Sequence, residues 1–263
     1  MSHVTTLFDQ IVEDIGDAGQ QLTTLAACEG SAGNISVFVT SLTCPLEPID
    51  ELELPSPALS LGGGWVVITA SGRRLRDVSR RPALSLVALH IDDSGRMATM
   101  HAAPGVRPSS EWNSHLAIHN DQRERRGVEY HVVLHAQPLR LVFLSHLPDI
   151  NTTEELNERL MRWEPETAVV ASQGVELAAF QVPGSPSQMQ ATVAALARSS
   201  AVVWAKHGIV TRSDTSATQA ADLVEYLEAA AYYEVMNLGM GSPAHGLESD
   251  ERNAVAQAFG LGV

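Results

Sequence analysis

The chain has 263 residues, 44% of them hydrophobic and 18% charged, which is enough apolar material for one sizeable core and excludes a disordered or fibrous polymer. Seventeen basic against 31 acidic residues leave a formal charge of −14, a field that repels phosphate backbones and argues against nucleic acid as a partner. No basic–apolar leader and no apolar run long enough to cross a bilayer is present, and Cys28 and Cys44 form no metal or redox motif, so the expected setting is cytoplasmic, with no membrane partner.

Val4, Leu7, Ile11, Ile15, Leu22 and Leu25 recur at mostly helical spacing. Residues 4–27 therefore read as one helix, or two with a break near Gly16–Gly19, stopped by a left-handed cap at Gly30. This amino-terminal helical segment (1–28) leads into Gly30-Ser31-Ala32-Gly33-Asn34-Ile35-Ser36. That loop either brings backbone N–H groups and the Asn34 amide up to an anion, or is only a helix-to-strand turn. Residues 41–64, rich in proline and polar side chains, read as an excursion from the same domain. Trp65–Thr69 is a strand that runs into a second small-residue loop, Ala70-Ser71-Gly72-Arg73-Arg74. Its arginines either meet a phosphate or are simply solvated.

Strands over 84–91 and 96–102 flank the turn at residues 92–95. Pro108-Ser109-Ser110-Glu111 opens a helix with a serine N-cap and Glu111 in its first turn. His115 and His119 follow on the same helical face. A helix start carrying two hydroxyls is a third potential anion site. The alternative is that Glu111 suits the helix dipole and that the two histidines pack or form hydrogen bonds.

Residues 129–138 organise the remainder. Val132, Val133 and Leu134 form a buried strand, and beyond them His135 and Gln137 project from one face with Cα atoms about 6.5 Å apart, near enough to share an ion. His131 lies on the same face but about 13 Å back, too far to join them. Thr152 and Glu155 have capping-box spacing, and their helix runs to Trp163–Glu166. Strands are expected at 167–171 and 175–181, a helix at 186–199, and a strand at Ala201–Trp204 followed directly by Lys206-His207-Gly208. Asp214 or Thr215 caps an alanine-rich helix to about Met236, and a last short helix follows a glycine-rich break at 239–246. Several turns between strands are too short for a helical crossover. The expected fold is a single α/β domain over 1–263: three layers, with a mixed, largely antiparallel sheet flanked by helices.

His135 and His207 thus each end an apolar strand, and Glu111 can add a carboxylate. Imidazole and carboxylate together favour zinc or a similar divalent ion.

In order, Gly30-Ser-Ala-Gly-Asn-Ile-Ser36, Ile68-Thr-Ala-Ser-Gly72, Ser109-Ser-Glu111, Val133-Leu-His-Ala-Gln137 and Lys206-His-Gly208 resemble the class II aldolase/adducin family from about residue 26 to 236. The stretch Trp163–Met236, with Val182-Pro-Gly-Ser185, is most similar to its branch acting on rhamnulose 1-phosphate. The resemblance implies a zinc-dependent lyase that splits a ketose 1-phosphate, such as rhamnulose 1-phosphate, into dihydroxyacetone phosphate and an aldehyde. It implies a homotetramer with active sites near subunit contacts. It assigns His135 and His207 as metal ligands and Glu111 as the carboxylate that holds the ion at rest and shuttles a proton. It assigns Ser31, Asn34, Ser71, Gly72, Ser109 and Ser110 to the phosphate, and Glu166 as a second working carboxylate.

Gln137 departs from the family's His-x-His. Gln137 binds the ion through oxygen, shifting preference toward manganese, cobalt or magnesium, or water or Glu111 takes its place, or the site is empty as in the adducin branch. The retained anion loops and Glu111 favour a metal site with a nonstandard third ligand. Two other functions share the frame: a sugar-phosphate epimerase or dehydratase, and a metal-free, adducin-like binding protein.

Overall fold

The central strands are near-continuous apolar runs, such as Trp65–Thr69, Leu86–Ile91 and Ala201–Trp204, and they are almost wholly buried, which demands cover on both faces of one sheet. In β1 (Asn34–Val39) every residue is buried. Ile35, Val37 and Val39 face one core, while Phe38 faces another. A computed structural model describes residues 5–260 of the chain; Val4, assigned above to the first helix, lies outside them.

The strands are β1, β2 (Pro48–Glu53), β3 (Trp65–Thr69), β4 (Leu86–Ile91), β5 (Met97–His101), β6 (Tyr130–Ala136), β7 (Glu176–Ala178), β8 (Ala201–Trp204) and β9 (Gly208–Ser213). They form one sheet in the order β2-β5-β4-β3-β1-β6-β9-β8-β7. Every named pairing is antiparallel except β7 with β8.

The helices are α1 (Leu7–Thr24), α2 (Pro82–Ser85), α3 (Trp112–Arg126), α4 (Leu139–Leu144), α5 (Thr153–Leu160), α6 (Pro165–Val170), α7 (Pro186–Leu196), α8 (Ala217–Gly239) and α9 (Ser249–Ala258). Buried residues of α1, α4, α5 and α8 share a core with Val132, Leu134 and Ala136 of β6. The opposite face carries α3 and α7, whose Ile118 and Leu196 pack with Val133, Val202 and Trp204. Burying one such side chain contributes about 1.5–3 kcal/mol. The expected three-layer α/β fold with a largely antiparallel sheet is the fold observed.

Several local expectations are corrected. The first helix ends at Thr24, not at Gly30, and it runs through Gly16 and Gly19 unbroken because Ser79 and Leu75 pack where a side chain would stand. The excursion at 41–64 contributes edge strand β2, mostly exposed and held to β5 by backbone pairing rather than by apolar burial. Residues 167–171 read as a strand from their β-branched run, but Pro165 at the first helical position presets a short helix there. The helix before it stops at Leu160, short of Trp163–Glu166. The strand expected over 175–181 is only Glu176–Ala178. The caps of α3 and α8 are Glu111 and Ser216 instead of a serine before Glu111 and Asp214 or Thr215. Helix α4 and strand β9 had no counterpart in the sequence reading.

Candidate metal centre

Strand register assembles the site. In β6, His131, Val133 and His135 face away from the core shared with α1 and α8, toward α3 and α7. Asn34 of β1 pairs with His135, and Val210 of β9 pairs with His135 on the other side. The turn between β8 and β9 then carries His207 to the same end of the sheet. The start of α3, where Glu111 is the N-cap residue, brings its carboxylate to that end.

Glu111, His135 and His207 offer ligand atoms that all lie within 4.8 Å of one another. His135 Nε2 is 3.7 Å from Glu111 Oε2, and His207 Nε2 is 3.9 Å from Glu111 Oε1. Each imidazole is held by its other nitrogen. His135 Nδ1 donates to the Ile209 carbonyl at 2.9 Å, and His207 Nδ1 lies 3.2 Å from Gln188 Nε2. Trp204 backs both rings, with centroids 4.7 Å from His135 and 5.1 Å from His207. The Ile209 carbonyl thus leaves the His135 Nε2 lone pair toward Glu111, whereas the Gln188 amide donates to His207 Nδ1 and leaves the proton on Nε2. His207 would have to exchange tautomers to bind an ion through Nε2; two imidazoles and a carboxylate are nonetheless the donor types a divalent ion takes. The donor set fits a metal.

The electrostatics agree. Burial works to raise the Glu111 pKa, but His135, the Asn34 amide, His115 and His207 together outweigh it and hold the acid below its ordinary range. His207 is pushed down, first by burial and then by His135, against the pull of Glu111. A neutral imidazole beside an ionised acid is the ligand-competent state.

In front of these groups lies a recess of about 150 Å³. Ser31, Asn34, Ser71, Gly72, Ser109, Ser110 and Gln137 all line it together with Glu111, His135 and His207. The three small-residue loops thus converge, although 75 residues or more separate Asn34 from Ser109 in the chain. Gly33 is at φ +81°, and a Cβ there would meet the His135 carbonyl at 3.0 Å, so this loop needs a glycine to lie against β6. Gln137 follows β6 directly, its backbone N–H donating to the Ala27 carbonyl at 2.7 Å. Its side-chain amide has no hydrogen bond among the described residues.

Not every candidate is gathered here. Glu166 is exposed in the first turn of α6 and does not line the recess. Arg73 and Arg74 are exposed and do not line it either. His115 and His119 take the hydrogen-bonding option: both contact Ser36 Oγ, at 2.6 and 2.7 Å. Sequence reasoning overlooked Ser36, Gln188, Trp204 and the need for a glycine at 208. Their only signal is spatial, since each acts on a histidine distant in the chain or across a turn. Lys206, in the turn before His207, sits at φ +65°, an uncommon conformation for a non-glycine residue. Its N–H donates to Ser145 Oγ at 2.7 Å, a tie that holds the strained turn.

The chain matches the class II aldolase and adducin N-terminal domain over residues 13–235. It is similar to the rhamnulose-1-phosphate aldolase of Bacteroides thetaiotaomicron, with 27% identity over 238 residues, 89% of this chain and 88% of that protein. The rhamnulose-1-phosphate aldolase of Pectobacterium atrosepticum is 30% identical over 244 residues, 89% of this chain and 87% of that protein. Among solved structures, a sugar-phosphate aldolase from Thermotoga maritima superposes with a TM-score of 0.78 and 28% identity, covering 89% of this chain and 97% of that one.

Proposed function

The chain belongs to the class II aldolase and adducin family, and from that premise we propose that it is a metal-dependent aldolase that cleaves a ketose 1-phosphate, with rhamnulose 1-phosphate the first candidate, into dihydroxyacetone phosphate and an aldehyde. The observation that carries this reading is the convergence of Glu111, His135 and His207 beside a recess lined by Ser31, Asn34, Ser71, Gly72, Ser109 and Ser110.

His135, His207 and Glu111 would hold the ion, zinc in the first instance, or manganese or cobalt if the Gln137 oxygen joins them. When bound, a divalent cation supplies Lewis-acid stabilisation of the negative charge that develops at a ketone oxygen during carbon–carbon cleavage. Glu111 is the base: its carboxylate, kept ionised by the surrounding imidazoles and the Asn34 amide, takes a proton from a substrate hydroxyl and returns it to carbon. The serine hydroxyls and the backbone of the three loops orient the phosphate, so binding energy far from the reacting carbons sets the geometry of the chemical step. Glu166 is exposed and does not line its own chain's recess, and in the homotetramer we propose it is free to serve a neighbouring copy.

The test is release of dihydroxyacetone phosphate from rhamnulose 1-phosphate and related ketose 1-phosphates by zinc-loaded protein, followed by coupled reduction. The expected outcome is metal-dependent release that a chelator abolishes. Protein that holds a divalent ion yet releases no dihydroxyacetone phosphate from any of these substrates sinks the aldolase reading in favour of another reaction on the same frame. Protein that takes up no divalent ion leaves only a binding role.

A further inference from the structure

Six polar side chains run in single file from the candidate metal centre into the interior between β1, β6 and α3. Asn34 Nδ2 donates to Glu111 Oε2 at 2.7 Å. Asn34 Oδ1 is in close contact with His115 Nε2. His115 Nδ1 lies 2.6 Å from Ser36 Oγ, which lies 2.7 Å from His119 Nε2. His119 Nδ1 lies 2.8 Å from His131 Nδ1. His131 Nε2, at the blind end, is buried and has no hydrogen-bond partner among the described residues. Ser36, His119 and His131 are fully shielded from solvent, and His115 nearly so.

We propose that Ser36, His115, His119 and His131 are positioning residues, a one-way hydrogen-bonded chain that holds the Asn34 amide with its NH2 turned toward Glu111. The proposal deepens the aldolase reading and rests on it for the role of Glu111.

The direction follows link by link. A ligand carboxylate offers only lone pairs, so the Asn34 NH2 must face it and the Asn34 oxygen must face His115. His115 Nε2 therefore carries the ring proton. Burial comes first among the causes that keep the deeper imidazoles neutral, pushing His131 down to about 3 and His119 well below the usual range, and His115 is buried beside them. A neutral His115 has a bare Nδ1, which accepts the Ser36 hydroxyl proton. Ser36 has no second proton, so its oxygen accepts from His119 Nε2–H. His119 Nδ1 is then bare and accepts from His131 Nδ1–H. What remains at the blind end is a lone pair on His131 Nε2, and no N–H is left without an acceptor. The reverse order would leave a buried N–H orphaned there and would set the Asn34 oxygen against the Glu111 oxygens, an arrangement penalised at both ends. Because an amide separates Glu111 from the first imidazole, the chain orients the carboxylate's partner; it does not conduct protons to it.

Neutron diffraction from crystals of the metal-free, full-length protein at neutral pH reads the proposal directly. Ring deuterons are expected on Nε2 of His115, Nε2 of His119 and Nδ1 of His131. A deuteron on His115 Nδ1 or His131 Nε2 overturns it. A second measurement titrates zinc into metal-free Ser36→Ala, whose zinc dissociation constant is expected to rise several-fold, up to the roughly 10–100-fold that follows when the ligand's own outer partner, here Asn34, is lost. Wild-type zinc affinity in a folded Ser36→Ala overturns the proposal; if the variant does not fold, the wild-type deuteron positions decide. The expected deuterons in a protein that releases no dihydroxyacetone phosphate would refute the aldolase reading and leave the chain standing. The reverse pattern in an active enzyme would refute the chain alone.

Discussion

The imidazoles of His135 and His207 meet edge to face with centroids 4.9 Å apart. His135 lies on β6 and His207 in the turn between β8 and β9, and the pairing of β6 with β9 and of β9 with β8 brings them together. Trp204 stacks behind His207 and tilts against His135, so neither ring can withdraw from the recess without breaking an aromatic contact.

Glu111→Gln keeps the size of the side chain but removes the charge and the proton acceptor. Zinc content of the purified protein is expected to stay largely intact, while dihydroxyacetone phosphate release slows by about 10²–10⁴-fold. Elemental analysis alongside the rate assay checks both halves, and unchanged turnover would remove the assigned role.

Gln137→His restores a third imidazole at the end of β6. Imidazole is a stronger zinc ligand than an amide oxygen, so the zinc dissociation constant is expected to fall by about tenfold or more. Competition with a chromogenic chelator measures it. An unchanged constant would mean that position 137 does not touch the ion.

Gly208 begins β9 where three groups crowd together. A Cβ there would collide with the Ala136 carbonyl, stand 2.6 Å from His135 Cε1 and 3.3 Å from Gln137 Cγ. Gly208→Ala is expected to cost about 1–3 kcal/mol of stability and to weaken zinc binding by displacing the His135 ring. Denaturant midpoints and zinc titration test this together; wild-type values in both would contradict the packing described here.

The pair His119–His131 makes stability pH-dependent. Burial, with Arg126 and Arg212 nearby, pushes His131 from its ordinary 6.5 down to about 3. Burial, then His131, holds His119 well below its ordinary value as well. Below 6.5 the unfolded chain binds protons that the folded chain refuses, so stability is complete above 6.5 and declines as pH falls toward 3. The slope is about 1.4 kcal/mol per pH unit for each such histidine. Urea denaturation of the metal-free protein between pH 4 and pH 7 is expected to show this fall, and His131→Leu to flatten it by about one histidine's share. A slope unchanged in that variant would mean that His131 is not held neutral.

Glu228 of α8 is buried and accepts hydrogen bonds from the backbone N–H groups of Arg140 and Leu141, at 3.1 and 3.0 Å, and from the Arg140 guanidinium at 3.2 Å. It thereby caps α4, the helix that starts just past Gln137. Glu228→Ala is expected to cost about 3 kcal/mol, because the first-turn N–H groups of α4 lose their acceptor in a buried setting. Equilibrium unfolding measures the loss, and a change below 0.5 kcal/mol would refute the capping role.

The long, strongly patterned elements were legible without coordinates. Trp65–Thr69 and Ala201–Trp204 have the boundaries their apolar runs suggested, and the Thr152–Glu155 capping box is formed as its spacing required. The errors fall where local pattern and tertiary role part company. Residues 167–171 carry a strand's composition inside a helix started by Pro165, and β2 is an exposed edge held by the backbone of β5.

The sequence by itself determined the candidate residues, because a histidine at the end of an apolar strand and a glycine–serine loop between elements are local chemistry written in adjacent letters. It also determined the alternation of strands with helices and the short turns between strands that point to a mixed, largely antiparallel sheet covered by helices. Only the tertiary structure decided that His135, His207 and Glu111 share a space a few ångströms across, and that His115 and His119 serve Asn34 through Ser36 rather than a metal. The reason is physical: strand register and helix placement are set by burial summed over the whole core, and a one-residue slip in β6 would turn both His131 and His135 to the opposite face.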